Sequence, residues 1–148
     1  MRRQILLIAA LIPLLLTACG EPADTQPGQP VTHRRAAFKK ILLAFEPMGV
    51  RLRKQQYEAD QFILLAKELG SVKNGPWQYF GADTNYPPTH AKARVWSESD
   101  EFETDRQAFL QAADRLVLAT ESRDEKLVTT AYEAVHDSCR NCHKVFKD

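Results

Sequence analysis

Leu127–Phe146 reads LVTTAYEAVHDSCRNCHKVF. Its small and apolar side chains, Leu127, Ala131, Val135, Ser138, Cys142 and Phe146, recur every three or four residues, the spacing of one face of an α-helix. Asp124, just ahead, has the side chain of an N-cap, so the pattern predicts a helix from near Asp124 almost to the end of the chain. The same period appears three more times upstream. Ala37, Phe38, Ile41, Leu42, Phe45, Met48 and Leu52 mark a helix from Thr32 onward, with Arg34, Arg35, Lys39 and Lys40 on its other side. Pro47 lies inside that helix and removes one backbone donor, which predicts a kink or irregular turn. Phe62, Leu65, Ala66, Leu69 and Val72 mark a helix from about Glu58 to Lys73, stopped by Asn74-Gly75-Pro76. Phe102, Phe109, Ala113, Leu116 and Val117 mark a third, with Ser97 or Ser99 expected to cap its acidic first turn.

No segment alternates as a strand does. Between Pro76 and Trp96 the periodicity stops, and Trp77, Tyr79, Phe80, Tyr86, Pro87 and Pro88 form a connection long enough to cross the end of a bundle. Four amphipathic helices joined in this way predict an all-α fold, an antiparallel up-down-up-down four-helix bundle with room inside for a cofactor.

The chain has 148 residues, 44% of them hydrophobic, and its 20 basic side chains nearly cancel 19 acidic ones. That suffices for one domain with a core, and the charge balance argues against a nucleic-acid partner. Arg2 and Arg3 precede the uncharged run Ile5–Leu16, which is short for a membrane span and reads as an export signal. Leu16-Thr17-Ala18-Cys19-Gly20 closes it and resembles a bacterial lipobox, in which the cysteine is lipidated and begins the mature chain. The other reading is an ordinary cleaved signal that happens to precede a cysteine. Residues 1–18 are thus expected to be a signal peptide. Residues 19–30, rich in proline and glycine and without a large apolar side chain, read as a lipid-anchored tether. Residues 31–148 are the folded domain, in a periplasm-facing, membrane-anchored protein, or a soluble periplasmic one if the lipobox is unused.

Cys139-Arg140-Asn141-Cys142-His143 is the spacing for covalent attachment of one haem c: both thiols add to porphyrin vinyl groups, and the adjacent imidazole turns to the iron. A redox pair of the thioredoxin type belongs at a strand-to-helix junction, which this chain lacks. A zinc site needs a fourth ligand at a suitable spacing, and a plain disulfide does not require the histidine. Cysteine arithmetic agrees with haem, since the three cysteines divide into one for lipid and two for thioethers.

The opposite face of the iron decides the chemistry. After export the only methionine is Met48, whose place on the first helix's apolar stripe points to core packing. His136 precedes His143 by seven residues, about two turns of the same helix, and cannot reach the other side of a haem. His33 at a helix start and His90 in the connection read as solvated. An open or apolar distal side follows.

The C-terminal haem motif, together with Pro76-Trp77-Gln78-Tyr79-Phe80, Arg94-Val95-Trp96-Ser97 and His33-Arg34-Arg35-Ala36-Ala37-Phe38, resembles cytochrome c′, the four-helix class II cytochromes c, over Val31 to Asp148. The resemblance implies thioethers at Cys139 and Cys142 and a partly exposed proximal ligand at His143. It places Arg34 and Arg35 near the haem propionates, the second where the family usually has glutamine. Phe38 falls at the distal position, often leucine, and His90 aligns loosely with a loop position near the haem edge. Lys147 matches a basic residue after the proximal histidine, where it either helps a ligand bind on that side or is surface charge. The implied activity is reversible binding of nitric oxide, and less readily carbon monoxide, by pentacoordinate, redox-active iron, and not catalysis. The alternative is an electron-transfer cytochrome with six-coordinate low-spin haem. The resemblance also implies a homodimer through the first two helices.

Overall fold

The computed structural model describes residues 22–148; the export signal and Cys19 lie outside them. Among the described residues there are five α-helices: α1 (Pro30–Arg53), α2 (Ala59–Val72), the short α3 (Arg94–Ser97), α4 (Ser99–Glu121) and α5 (Glu125–Phe146). The four long ones form the expected antiparallel bundle, with α2 packed on α1 and α4, and α4 packed on α5. Met48, Phe62, Leu69, Leu116 and Val135 are buried completely along its axis, drawn from the predicted stripes of all four helices, and Val128 joins them in place of its stripe neighbour Leu127, which is exposed. Met48 is therefore a core residue, as its place in the stripe predicts.

Helix starts follow local chemistry in one case and long-range chemistry in another. Asp124 caps α5, its Oδ1 accepting from the Leu127 amide at 3.0 Å. α1 begins at Pro30, two residues before Thr32, because proline at the first helical position needs no hydrogen-bond acceptor and has its φ already set. Its orphan amides are satisfied from outside: the Asp24 carboxylate accepts from the amides of Val31 at 2.9 Å and Thr32 at 3.3 Å. The segment read as a tether is thus structured from Asp24 on, where a buried carboxylate docks it to α1. Neither Ser97 nor Ser99 caps α4, whose N-cap is Glu98 with no side-chain cap bond; there Glu98 pairs with Arg94 of α3 instead. α1 also runs unbroken through Pro47. The carbonyl that Pro47 leaves without a donor belongs to Leu43, which is exposed, so water can serve it.

The connection after α2 crosses the end of the bundle through two 3-10 turns, Trp77–Tyr79 and Ala82–Thr84, before α3. Trp77 is fixed at its start by an indole bond to the Lys73 carbonyl at 2.8 Å, and Lys73 itself is buried against Asp114 of α4. At the far side Ala91 forms an antiparallel bridge with Lys147, and the Lys92 amide donates to the Phe146 carbonyl at 2.9 Å.

Candidate functional site

α1 and α5 are the least intimate neighbours in the bundle. They meet where the Tyr132 ring stacks on Phe45 with centroids 4.4 Å apart, beside Gly49, whose missing side chain gives the phenol room. The two helices run antiparallel, so moving from Phe45 toward the start of α1 corresponds to moving from Tyr132 toward the end of α5. Seven residues, about 10 Å of helix, lead from Phe45 to Phe38; seven to ten lead from Tyr132 to Cys139 and Cys142. Phe38 and the two cysteines therefore stand at one level, beyond the contact that holds α1 and α5 together.

Cys139 and Cys142 lie one helical turn apart on α5, both partly buried and unpaired, with Cys139 packed on the core. Burial pushes both thiols up, and with help from Asp105 raises Cys142 to about 12. Neutral thiols of this kind differ from the thiolates of a redox pair. Among the described residues no group of three histidine, cysteine or acidic side chains is gathered that could hold a metal ion by itself. His143 is exposed on the last turn of α5; partial desolvation and then Lys147 hold its imidazole below the usual range, favouring the neutral, ligating form. Lys147, the residue after α5, donates its amide to the His143 carbonyl at 3.1 Å.

On α1, Arg34 is almost wholly buried, although it carries a full charge. Its guanidinium donates to Thr89 Oγ1 at 2.6 Å, the Tyr79 carbonyl at 3.0 Å and Thr84 Oγ1 at 3.3 Å, and lies 4.4 Å over the Phe80 ring. All these partners are neutral. Burial lowers its pKa, and Asp24 and Tyr86 offset this only from a distance. A desolvated guanidinium with no carboxylate bonded to it is suited to an incoming anion. Arg35, the next residue, donates to the Pro22 carbonyl at 3.0 Å. Thr84 and Thr89 escaped the sequence reading because they lie 50 and 55 residues from Arg34 and carry no local motif.

Phe38, one turn beyond Arg34, is half-buried and meets Trp77 edge-on at 5.5 Å and Phe80 at 6.3 Å. The aromatic wall continues from Phe80 to Phe102 at 5.0 Å and from Phe102 to Phe146 at 5.3 Å, reaching α5 three residues after His143. An open cleft of about 530 Å³ on this wall, bordered by Trp77, Phe80, Trp96 and Arg106, touches neither cysteine. His90 is exposed; only its carbonyl is engaged, by the Asp148 amide at 2.9 Å. His33 stacks on Tyr79, and His136 lies on the exposed side of α5. The level shared by Phe38 and the cysteines, the buried cation and the neutral imidazole together fit a haem bearing two carboxylates. Two thiols would hold its vinyl edge and one nitrogen would meet its iron.

Comparison with known proteins agrees. The family model described as Cytochrome C′ matches residues 29–147. A cytochrome c′ of Rhodospirillum rubrum is 25% identical over 98% of both chains, and one of Halomonas halodenitrificans is 26% identical over 82% of this chain and 98% of its own. Among solved structures, cytochrome c prime from Shewanella frigidimarina superposes with a TM-score of 0.79 at 28% identity, covering 84% of this chain and 98% of that one. The nitric oxide complex of a single-site mutant of cytochrome c prime from Alcaligenes xylosoxidans gives 0.77 at 26% identity, with the same coverage.

Proposed function

The chain belongs to the cytochrome c′ family and carries covalently attached haem c. On that premise we propose that it binds nitric oxide and carbon monoxide at a pentacoordinate, redox-active iron on the periplasmic side of a membrane, anchored through lipid at Cys19. The observation that carries the reading is Phe38. An apolar side chain unable to coordinate stands on α1 at the level of the thioether cysteines, while Met48, ten residues on, is sunk in the core about 15 Å along the helix. The nitric oxide complex of the Alcaligenes xylosoxidans relative supports the choice of ligand.

When bound, haem c would supply an iron able to pass between ferric and ferrous states and to take a diatomic ligand. In this assignment Cys139 and Cys142 hold the macrocycle and His143 ligates through its neutral imidazole. Arg34 receives a propionate at a place already desolvated and polarised for it. Phe38 excludes water and crowds the distal side, a barrier that a small neutral diatomic crosses more easily than an anion does. Lys147 stands beside His143, where its charge would favour a ligand arriving on the proximal side. A homodimer through α1 and α2 is part of the proposal, supported by the outward-facing Leu42, Leu43 and Leu64, which are 52%, 65% and 62% exposed.

The test is the optical spectrum of the haem-loaded protein, ferric, ferrous, and ferrous under nitric oxide. A broad high-spin ferrous Soret band that changes with nitric oxide is expected. Sharp α and β bands before any ligand is added would instead assign the protein to six-coordinate electron transfer.

Arg34→Met is expected to have different consequences in two forms of the protein. In the haem-loaded form, loss of the cation lowers the reduction potential by on the order of 60 mV, one tenfold step of a one-electron equilibrium, because ferric iron is then less disfavoured. Without haem the same change costs less stability, since a buried charge lacking a counter-ion is removed along with its hydrogen bonds. Potentiometry and paired melting curves check both; an unchanged potential would remove Arg34 from the propionate site.

A further inference from the structure

We infer that the end of the bundle bearing the haem motif is the membrane-facing end of the anchored protein, held against the lipid surface by a tether too short to let it turn over. The inference rests on the proposed lipid at Cys19 and on haem attachment at Cys139 and Cys142. What it adds is an orientation, fixed by Asp24.

Asp24 is 2% exposed and makes four hydrogen bonds. Besides the two α1 amides, it accepts from the Gln26 amide at 3.1 Å and from the Tyr86 hydroxyl at 3.0 Å. Arg35 adds a tie to the Pro22 carbonyl. The segment that leads to the lipid is thus fastened at the start of α1 and to the crossing connection.

A continuous set of bonds joins that fastening to the haem motif. Tyr86 and Thr89 belong to the same connection; Thr89 Oγ1 accepts from both Arg34 and the Ala91 amide. Ala91 bridges Lys147, whose amide bonds the His143 carbonyl. The fastening point and the proximal histidine therefore share one end of the bundle.

Length does the rest. Asp24 is five residues after Cys19, a stretch that fully extended spans at most about 18 Å. α1, with 24 residues, is about 36 Å long, so the opposite end, at the α4–α5 turn, lies twice that reach away. The opposite end cannot be the one apposed to the bilayer. Lys92, Lys144 and Lys147 stand at the haem-motif end with Asp148, and the acidic first turn of α4 starts there too. With charge so mixed, attachment and not electrostatics sets the orientation, and the apposition persists in high salt.

The test uses the lipidated, haem-loaded full chain in phosphatidylcholine vesicles containing a headgroup-labelled fluorescent lipid, with quenching by haem as the readout. A second form carries a twenty-residue Gly/Ser insert between Gly20 and Glu21, which adds a mean reach of about 25 Å outside the folded part. The native protein is expected to quench at least twofold more than the insert form, with little change at high salt. Asp24→Ala, which frees the chain as far as Pro30, is expected to fall between them. Flotation with the vesicles separates the two ways of failing. Equal quenching by all three forms, all floating, would overturn the orientation alone. A native protein that stays in solution as a Cys19→Ser form does would overturn the lipid anchor and the orientation with it.

Discussion

Replacing both Cys139 and Cys142 with alanine is expected to yield a protein from which acidified butanone extracts all the haem, whereas the native protein gives up none. A thioether forms when a thiol adds across a vinyl double bond, the sulfur taking one carbon and the hydrogen the other, with no net oxidation. Acid and organic solvent unfold the chain and break the iron–histidine bond, but they leave that carbon–sulfur bond intact. Each single variant keeps one thioether and so keeps its haem, with the α band of its pyridine haemochrome moved to longer wavelength because a vinyl group remains conjugated with the ring. His143→Ala retains haem by both thioethers and changes the ligand-field spectrum instead. Haem that resists extraction in the double variant would remove the two cysteines from the assignment. The four variants together thus distinguish tethering from ligation, roles that α5 places within a single turn of one another.

What the sequence revealed and what it concealed divide along the range of the interactions. α2 and α5 begin and end within a residue or so of their expected limits, because Asp124 and the Asn74-Gly75-Pro76 stop act on their own neighbours. The haem motif was legible for the same reason, being five consecutive residues. The cap of α1 was not, since its carboxylate comes from Asp24, in a segment whose composition reads as a tether, and its second anchor is Tyr86, 62 residues on. The neutral cage around Arg34 was equally hidden: Thr84 and Thr89 have no feature that marks them until the connection folds back over α1. Ser97 and Ser99 had the right chemistry for a cap and lost to a charged pair, Arg94 with Glu98, that a propensity argument does not see. Aromatic residues fell between these cases. Trp77 and Phe80 were recognisable as plugs, yet their alignment with Phe102 and Phe146 into one wall from α1 to the end of α5 depends on packing between elements far apart in the chain.

That wall is why Phe38→Ala is expected to have the second large effect, a rise in the rate of carbon monoxide binding to the ferrous protein of about tenfold to a hundredfold. A ring that must move aside for a ligand pays in displaced neighbours, and crowding a packed site costs about 1–3 kcal/mol, which is that range in rate. Phe38 has little freedom to swing: Trp77 meets it edge-on at 5.5 Å, Phe80 at 6.3 Å, and Trp77 and Phe80 are themselves stacked at 6.3 Å. Alanine removes the obstacle without moving the wall, whereas leucine, smaller and rotatable, should give an intermediate rate. Dissociation should change less than association, because the bound diatomic is held by the iron and the lid acts mainly on the approach. Flash photolysis measures both rates on the three proteins. Equal association rates for phenylalanine, leucine and alanine would mean that the diatomic never passes Phe38, and the face beside His143 and Lys147 would then be its route.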